Sequence, residues 1–284
     1  MNNHIPKPEW LKVKLGDSLL YGKTSSLINN NCINTICVSG KCPNHGECWS
    51  RGRASFMIGG DICTRNCKFC NTNTGKPLPL DLSEPLNLAN TIKSMNLTHV
   101  VVTSVDRDDL ADGGAEHWVN TVNEIKRLNP GITLELLIPD FNGLFPLIDS
   151  ICNTEPDIIS HNIETVESLT PYIRSKATYK RSLEVLNRIN SNKIITKSGF
   201  MLGLGENKAE ILNTILDLKN AGCSILTIGQ YLQPSKKNIE VKRYVSPKEF
   251  LEYKDFAISN GFNIVESAPL VRSSYYAENH LLKR

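Results

Sequence analysis

Short apolar and β-branched segments alternate with helical patterns along this chain of 284 residues from Arg53 onward. Seven segments have the composition and length of strands: Ala54–Ile58, His99–Thr103, Thr133–Ile138, Ile158–His161, Ile194–Leu202, Ile225–Ile228 and Asn263–Glu266. Six helical patterns lie between them: Leu86–Met95, Ala115–Leu128, Leu144–Cys152, Lys180–Ile189, Lys208–Ala221 and Pro247–Asn260. Strands that alternate with helices in this way predict βα units, a parallel sheet and an α/β fold.

The number of these units favours a barrel over an open sheet with helices on both faces. Six or so units in one chain predict a partial (β/α)6 TIM-type barrel, and α/β barrels of this length form a single domain. The functional site of such a barrel lies at the C-terminal ends of its strands, in the loops that lead into the helices.

The first fifty residues differ from this repeating pattern. Pro6, Pro8, the polar run Asn29–Asn31 and a group of cysteines leave little regular periodicity there. We therefore expect three parts: an N-terminal cysteine-rich extension over residues 1–52, a barrel over residues 53–267 and a C-terminal tail over residues 268–284.

Seven of the nine cysteines lie between residues 32 and 70, and six of them form two triplets. The triplets are Cys37, Cys42 and Cys48, and then Cys63, Cys67 and Cys70. A structural zinc ion prefers four protein ligands, whereas a [4Fe–4S] cubane held by three thiolates keeps one iron free for another ligand. Two incomplete sets therefore predict two clusters, each with one position reserved for chemistry.

The three cysteines outside the two triplets can be interpreted without a further cluster. Nine is an odd number, which a fully paired disulfide framework would not give. Cys152 and Cys223 stand alone in apolar surroundings, so we expect them in the core. By spacing alone, Cys32 also forms an alternative triplet with Cys37 and Cys42.

The second triplet has the spacing CxxxCxxC and follows the first predicted strand, with Phe69 directly before its last cysteine. This resembles the signature of the radical S-adenosylmethionine (SAM) enzymes. The resemblance implies that Cys63, Cys67 and Cys70 hold a cluster whose free iron binds the methionyl group of SAM. In that family the reduced cluster cleaves SAM and yields a 5′-deoxyadenosyl radical, while the protein supplies placement and excludes water. A zinc site with three cysteines is the rival interpretation of the spacing alone.

A second match to the same family lies on the predicted strand Ile194–Leu202 and just after it. Four residues resemble the GxIxGxxE pattern, with Met standing where Ile is usual: Gly199, Met201, Gly203 and Glu206. The resemblance implies contact with adenine, at a close approach that glycines permit. It also implies contacts from Phe69 to adenine, from Thr103 and Ser104 to the methionyl amino group, and from Asn162 and Glu164 to the ribose.

The first triplet occurs together with three further segments: Pro8–Lys12, Asp106–Leu110 and Arg272–Tyr275. These patterns together resemble the lipoyl synthase family from residue 8 to about residue 278. The resemblance places ligands at Cys37, Cys42 and Cys48 rather than at Cys32. It assigns the fourth ligand to a serine of the Arg-Ser-Ser-Tyr motif, with Ser274 preferred and Ser273 as the alternative.

The activity that the resemblance implies is the insertion of two sulfur atoms, at C6 and C8 of a protein-bound octanoyl-lysine. Cys37, Cys42, Cys48 and Ser274 would hold an auxiliary [4Fe–4S] cluster that is consumed as the sulfur donor. A serine alkoxide is a harder and more exchangeable ligand for iron than a thiolate, which suits a cluster that must be opened. The cofactors expected are therefore two [4Fe–4S] clusters and SAM, and Arg272 and Tyr275 are expected to frame the auxiliary cluster.

The resemblance also implies three protein partners. The octanoyl group would arrive on a lipoyl-carrier domain, either the E2 subunit of a 2-oxoacid dehydrogenase or the glycine cleavage H protein. Electrons would come from a donor such as ferredoxin or flavodoxin, and an iron–sulfur carrier would replace the consumed cluster.

Composition excludes other classes of partner. The net charge is only +3 and the basic residues are scattered, so we expect no nucleic acid. We also expect no membrane association, because no apolar stretch reaches the length of a membrane span. Met1–Trp10 lacks the apolar segment of a signal peptide, so a cytoplasmic location with reduced thiols is expected.

Three other functions share part of this sequence pattern. A related radical enzyme with an auxiliary cluster, of the biotin synthase or methylthiotransferase type, would lack the Arg-Ser-Ser-Tyr ending. A non-catalytic iron–sulfur or zinc protein would not need six βα units. A zinc deaminase is suggested by His45-Gly46-Glu47, but its second half requires proline before a CxxC pair, and Asn66 precedes Cys67.

Overall fold

The structure, a computed structural model, describes residues 6–13 and 16–279. The strands are β1 (Ser55–Ile58), β2 (Ile62–Cys63), β3 (Asn73–Thr74), β4 (His99–Ser104), β5 (Thr133–Leu137), β6 (Ile158–Ser160), β7 (Ile195–Leu202), β8 (Ile225–Gln230) and β9 (Ile264–Ser267). The α-helices are α1 (Ser18–Asn30), α2 (Ile36–Ser39), α3 (His45–Ser50), α4 (Glu84–Ser94), α5 (Ala115–Leu128), α6 (Phe145–Cys152), α7 (Thr170–Ile173), α8 (Tyr179–Ser191), α9 (Lys208–Asn220) and α10 (Pro247–Ser259). None of these helices combines the length and the apolar character that crossing a membrane requires.

Seven strands form one parallel sheet in the order β1-β4-β5-β6-β7-β8-β9. Each of them pairs with the next sheet strand along the chain, so the connections are successive βα crossovers. β1 and β9 are the two edges of this sheet. The predicted α/β fold with the strand succession of a partial barrel is confirmed. β2 and β3 form a separate parallel pair in the loop after β1.

Alternation along the strands separates an outer apolar face from an inner, more polar one. Phe56 of β1 and Val102 of β4 pack under the helices in the main hydrophobic core. Their neighbours Met57 and Thr103 face the opposite way and line an interior cavity. The sheet therefore buries one face under helices and offers the other to a ligand.

The N-terminal extension contains regular structure where the sequence pattern predicted little. Helix α1 begins after Asp17, whose carboxylate accepts hydrogen bonds from two backbone N–H groups of the first turn. Only Thr24 and Ile28 of this helix are buried, so its apolar periodicity is too weak to be recognised. The expectation of an irregular segment was wrong for residues 18–30.

The extension shares the hydrophobic core of the barrel. Ile28 and Trp49 belong to the same buried cluster as Phe56 and Leu88. The hydroxyl of Thr24 donates a hydrogen bond to the carbonyl of Trp49 at 2.9 Å, which ties α1 to α3. The extension is therefore packed onto the barrel beside β1.

The C-terminal tail crosses from the barrel to the extension. The side-chain amide of Asn44 donates to the carbonyl of Leu270 at 2.7 Å. The hydroxyls of Tyr275 and Tyr276 donate to the carboxylate of Glu47 at 3.1 and 3.0 Å. The two ends of the chain thus meet over the same side of the sheet.

Candidate active site

A cavity of about 330 Å³ lies at the C-terminal ends of the barrel strands, a size that suits a small-molecule ligand. The predicted site residues that line it are Cys37, Cys42, Cys63, Cys67, Phe69, Cys70, Thr103, Ser104, Asn162, Glu164, Met201, Ser273 and Ser274. An adjoining space of about 40 Å³ is lined by Cys37, Cys42, Cys48 and Ser274. Both triplets and the C-terminal serines are therefore brought to one continuous region.

The Cys63 triplet lies in a loop that its neighbours hold from several sides. The backbone N–H groups of Arg65 and Asp106 each donate to the sulfur of Cys63 at 3.4 Å. The N–H of Lys68 donates to the carbonyl of Ile173 at 2.9 Å. Burial raises the pKa of the Cys63 thiol to about 12, so a metal that binds this thiol must displace its proton.

Arg65 fixes this loop from within, and the sequence analysis did not identify it. Its side chain is only 5% exposed and donates two hydrogen bonds to Asp108 at 2.8 Å and one to Asp140 at 2.7 Å. These bonds lower the pKa of Asp108. Burial raises the pKa of Asp140, but the charge and the hydrogen bond of Arg65, together with the N–H of Asn142, lower that pKa to about 2. The signal available in the sequence was the acidic segment 106–109.

Two of the predicted cofactor residues have unsatisfied polar atoms. The hydroxyl of Ser104 and the carbonyl oxygen Oδ1 of Asn162 are buried and have no hydrogen-bond partner among the described residues. Buried polar atoms are rarely left without partners unless a ligand or water supplies them. Burial also raises the pKa of Glu164, against the charge of Arg174. This wall of the cavity fits a ligand that carries hydroxyl and amino groups, as SAM does.

Three members of the glycine-rich match do not line the cavity. A Cβ atom at Gly199 would collide with Thr227, and Gly203 has a φ of +98° and no room for a side chain. The carboxylate of Glu206 accepts hydrogen bonds from three successive backbone N–H groups at 2.6 to 3.1 Å. Only Met201 of this pattern reaches the cavity. The adenine contacts of the other three stay a prediction, and their local role is to shape the end of β7.

The Cys37 triplet is spread over the N-terminal extension. Cys37 lies in α2, Cys42 in the turn that follows and Cys48 in α3, and all three thiols are free. The backbone N–H of Ser55 donates to the sulfur of Cys37 at 3.5 Å. Burial raises the pKa of all three thiols, that of Cys48 to about 12. Thiols in this state bind iron only with release of their protons.

The tail brings a hydroxyl to this triplet. The Oγ atoms of Ser55 and Ser274 lie 2.7 Å apart, and Ser274 lines both spaces beside Cys37 and Cys42. Arg272 lines the same two spaces; burial lowers the pKa of its guanidinium, and the neighbouring Cys42 opposes that effect. The three thiols and one hydroxyl found here are the donor set that the sequence resemblance assigns to an auxiliary cluster.

Cys32 and Glu47 line neither of the two spaces at the triplets, whereas His45 lines the smaller one beside Cys48. Cys32 is exposed and lines a separate groove with Asp61 and Glu84. His45 packs edge-on against Trp49, with 4.2 Å between ring centroids, and Glu47 accepts the tyrosine hydroxyls of the tail. Within residues 6–13 and 16–279, no three His, Cys, Asp or Glu side chains are arranged to hold a single metal ion.

A buried ion pair that the sequence pattern did not reveal lies beneath the cavity. Lys197 of β7 is fully buried, and its ammonium lies 2.6 Å from a carboxylate oxygen of Glu135 on β5. The same ammonium donates to the carbonyl of Ser273 at 2.5 Å. The sequence does contain one indication of this pair, a lysine within a predicted strand. A charged side chain at such a position is rarely buried without a partner of opposite charge.

The sequence profile of the Radical SAM superfamily matches residues 57–218. The curated relative from Porphyromonas gingivalis, named lipoyl synthase, is 58% identical over 99% of this chain and 100% of its own length. The lipoyl synthase of Parabacteroides distasonis is 57% identical, again over 99% of this chain and 100% of the relative.

Solved structures resemble the fold at low sequence identity. SuiB of Streptococcus suis bound to S-adenosylmethionine has a TM-score of 0.57 at 11% identity, over 83% of this chain and 57% of its own. Methylornithine synthase has a TM-score of 0.52 at 14% identity, over 79% of this chain and 75% of its own. At these identities the likeness concerns the fold alone.

Proposed function

The chain belongs to the lipoyl synthase family of the Radical SAM superfamily, and we propose that its two cysteine triplets divide the family reaction between two sites in one cavity. It is a sulfur-inserting enzyme that uses SAM and two [4Fe–4S] clusters and acts on an octanoylated carrier protein. The observation that carries the proposal is the convergence of both triplets and Ser274 on neighbouring, connected walls.

The Cys63 site is the one that generates the radical. Cys63, Cys67 and Cys70 would hold the first cluster, which supplies the electron that cleaves SAM. The chain contributes position: the loop is held by Arg65, and its Cys63 sulfur accepts two backbone N–H groups. A loop fixed in this way would hold its three thiols at the wall of the cavity, where the cluster could bind SAM.

SAM would lie between this loop and the ends of β4, β6 and β7. The unpaired oxygens of Ser104 and Asn162 are available for its amino and hydroxyl groups. Thr103, Glu164, Phe69 and Met201 line the same wall, while Gly199, Gly203 and Glu206 act through the backbone that they shape. The apolar members exclude water from the region where hydrogen is abstracted.

The Cys37 site is the one that supplies sulfur. Cys37, Cys42, Cys48 and Ser274 would hold the second cluster, whose sulfides become the two sulfur atoms of the product at C6 and C8. Support comes from the hydroxyl at the fourth position, because an oxygen ligand leaves iron more readily than a thiolate does. The tail that carries Ser274 contacts the extension mainly through single hydrogen bonds and one ion pair, so this corner can open.

We extend the proposal to the protein partners and to the roles of the three parts of the chain. The octanoyl group would arrive on an E2 or glycine cleavage H protein, with electrons from ferredoxin or flavodoxin and new clusters from an iron–sulfur carrier. Nine free thiols support a reducing, cytoplasmic compartment. Residues 1–52 would supply the auxiliary ligands, residues 53–267 the radical site, and residues 268–284 the serine.

The test separates the two sites by iron content and by product. The unmodified protein should hold about eight irons after anaerobic reconstitution, and Cys63→Ala and Cys48→Ala should each hold about four. Cys63→Ala should lose SAM cleavage, whereas Cys48→Ala should cleave SAM without forming lipoyl product. The matched control is Cys223→Ala, a buried cysteine outside both sites that should keep both clusters. Lipoyl formation by Cys48→Ala would contradict the proposal.

A further inference from the structure

Ser55 joins two of the proposed auxiliary ligands, although it belongs to neither triplet nor tail. It lies on β1, is 7% exposed, and its Oγ donates to the Oγ of Ser274 at 2.7 Å. Its backbone N–H donates to the sulfur of Cys37 at 3.5 Å. One residue therefore contacts both a thiol ligand and the exchangeable hydroxyl ligand of the same site.

The position of β1 explains why this N–H is available. β1 is an edge strand of the sheet, so alternate N–H groups point away from β4 and are not used by the ladder. The N–H of Ser55 turns to Cys37, and the N–H of Met57 donates to the carbonyl of Asn34 at 2.9 Å. The extension is thus hydrogen-bonded along the free edge of β1, and Ser55 is the residue of this edge that contacts a proposed cluster ligand.

The tail backbone is fixed independently one residue before Ser274. The carbonyl of Ser273 accepts a hydrogen bond from Lys197, which is fully buried and paired with Glu135. A buried ion pair adds little to stability by itself, so this donation to the tail is a specific use of the pair. With the backbone held at Ser273, the hydroxyl of Ser55 decides where the side chain of Ser274 points.

We propose that Ser55 is a positioning residue that holds the Ser274 hydroxyl against the Cys37 triplet and so controls how fast this corner of the site opens. The inference rests on the proposed role of Ser274 as the fourth auxiliary ligand. Hydrogen bonds to metal ligands from neighbouring residues set both their orientation and their hold on the metal. Losing the Ser55 hydroxyl leaves Ser274 free to rotate away, which shortens the life of the auxiliary cluster.

The experiment measures iron release to a chelator in the Cys63→Ala background, where only the auxiliary cluster remains. Ser55→Ala should release iron about tenfold faster than this parent, the scale of one hydrogen bond. Ser55→Thr keeps the hydroxyl and should release iron at the parent rate. The matched control is Ser267→Ala, which removes another buried strand hydroxyl, bonded to the carbonyl of Phe250 at 2.7 Å. It should also keep the parent rate.

The outcomes separate this inference from the proposed function. A parent that holds no cluster, or a Ser274→Ala variant that releases iron at the parent rate, would overturn the assignment of the auxiliary site itself. If Ser274→Ala accelerates release but Ser55→Ala does so by less than about threefold, positioning by Ser55 is wrong. Equal acceleration by Ser55→Thr or by Ser267→Ala would assign the effect to packing and would also overturn it.

Discussion

The two cysteine triplets are held by different kinds of structure. The Cys63 triplet occupies one short loop, which Arg65 holds through the partly buried carboxylate of Asp108 and the fully buried one of Asp140. The Cys37 triplet depends on a tail that is remote in sequence, since Tyr275 and its acceptor Glu47 are 228 residues apart. Ion pairs of Arg65 hold the loop of the Cys63 triplet in place. Hydrogen bonds between the two ends of the chain hold the tail beside the Cys37 triplet.

This difference matches the fates proposed above for the clusters at the two triplets. A cluster that serves every turnover benefits from a loop that does not open, and buried charge-assisted hydrogen bonds provide that. A cluster that is dismantled and rebuilt needs a wall that opens at low free energy, and segments held by few contacts open most readily. The Cys63 loop is therefore held mainly by ion pairs of Arg65, whereas the tail is held mainly by hydrogen bonds, one of them from the buried Lys197 to the carbonyl of Ser273.

The largest effect is expected from Arg65→Met. The substitution leaves Asp108 and the fully buried Asp140 without their main cation, and breaking a buried pair in this way costs about 3 to 5 kcal/mol. Urea unfolding should show this loss of stability. Iron analysis should show loss of the Cys63 cluster, leaving about four irons per chain.

The control for this prediction is Arg188→Met. Arg188 also makes two hydrogen bonds to one carboxylate, that of Asp149, but its side chain is 42% exposed. Exposed pairs contribute about 0 to 1 kcal/mol, so this variant should unfold almost as the parent does and keep both clusters. Equal destabilisation by the two variants would show that burial of the Arg65 network is not what holds the loop.

A smaller effect is expected from Glu47→Ala, which tests the other closure. The variant removes the acceptor of Tyr275 and Tyr276, and hydrogen bonds to a charged group contribute about 1.5 to 3 kcal/mol. Hydrogen exchange over residues 270–279 should therefore become roughly tenfold to a hundredfold faster. Exchange over residues 63–70 should stay unchanged.

Glu278→Gln is the matched control for the tail. Glu278 pairs with Arg51 at 2.7 Å between the same two segments, but the arginine side chain is 35% exposed. Its loss should change exchange in the tail only slightly. If Glu47→Ala loosened the Cys63 loop as much as the tail, the two closures would not be independent.

A buried histidine near the Cys63 triplet should stay neutral in the folded chain. His161 bonds the carbonyl of Ile138 and the hydroxyl of Ser182, and burial lowers its pKa to about 4, with the charge of Arg174 acting in the same direction. Its ordinary value is about 6.5. The folded chain thus binds fewer protons, so this stabilising contribution is present above about pH 6.5 and is lost as the pH falls toward about 4.

The measurement compares unfolding free energies at two pH values. Between roughly pH 8 and pH 5.5, the parent should lose about 1.4 kcal/mol more than His161→Gln does. Histidine NMR should show the His161 ring neutral throughout that range. A ring that titrates near pH 6.5, or identical pH profiles for both proteins, would contradict the neutral state inferred from burial.

The barrel could be predicted from the sequence because its signals are local. Strands β4 and β8 are short runs rich in apolar and β-branched residues, and each was placed within two residues of its observed bounds. Helix α1 could not be predicted, because only two of its side chains are buried and its one strong signal is the capping Asp17. Periodicity reports burial, so a helix that buries little gives a weak pattern.

Members of the candidate site could be named from the sequence where the type and spacing of the residues indicate the chemistry. The triplets could be recognised from their spacing, whereas Ser104 and Asn162 were named from the family resemblance, and both line the cavity. Ser55 and Lys197 could not be named, because their roles depend on which strand faces which across the sheet, and only tertiary structure defines that. Gly199 illustrates the same limit: its glycine is required by Thr227 on the neighbouring strand, not by a signal within its own strand.

The smallest effect is expected from Cys32→Ser, and it sharpens the comparison by testing which cysteines belong to the tail-closed site. Spacing alone allows Cys32 to replace Cys48 in the first triplet. Cys32 is exposed beside Asp61 and Glu84, whereas Cys48 shares its space with Cys37 and Ser274. Cys32→Ser should therefore keep about eight irons and full lipoyl formation, because the proposed ligand set is intact. If it held about four irons, Cys32 rather than Cys48 would be the third thiol ligand. The auxiliary site would then extend to the exposed groove beside Asp61 and Glu84, and its lability could not be assigned to the tail.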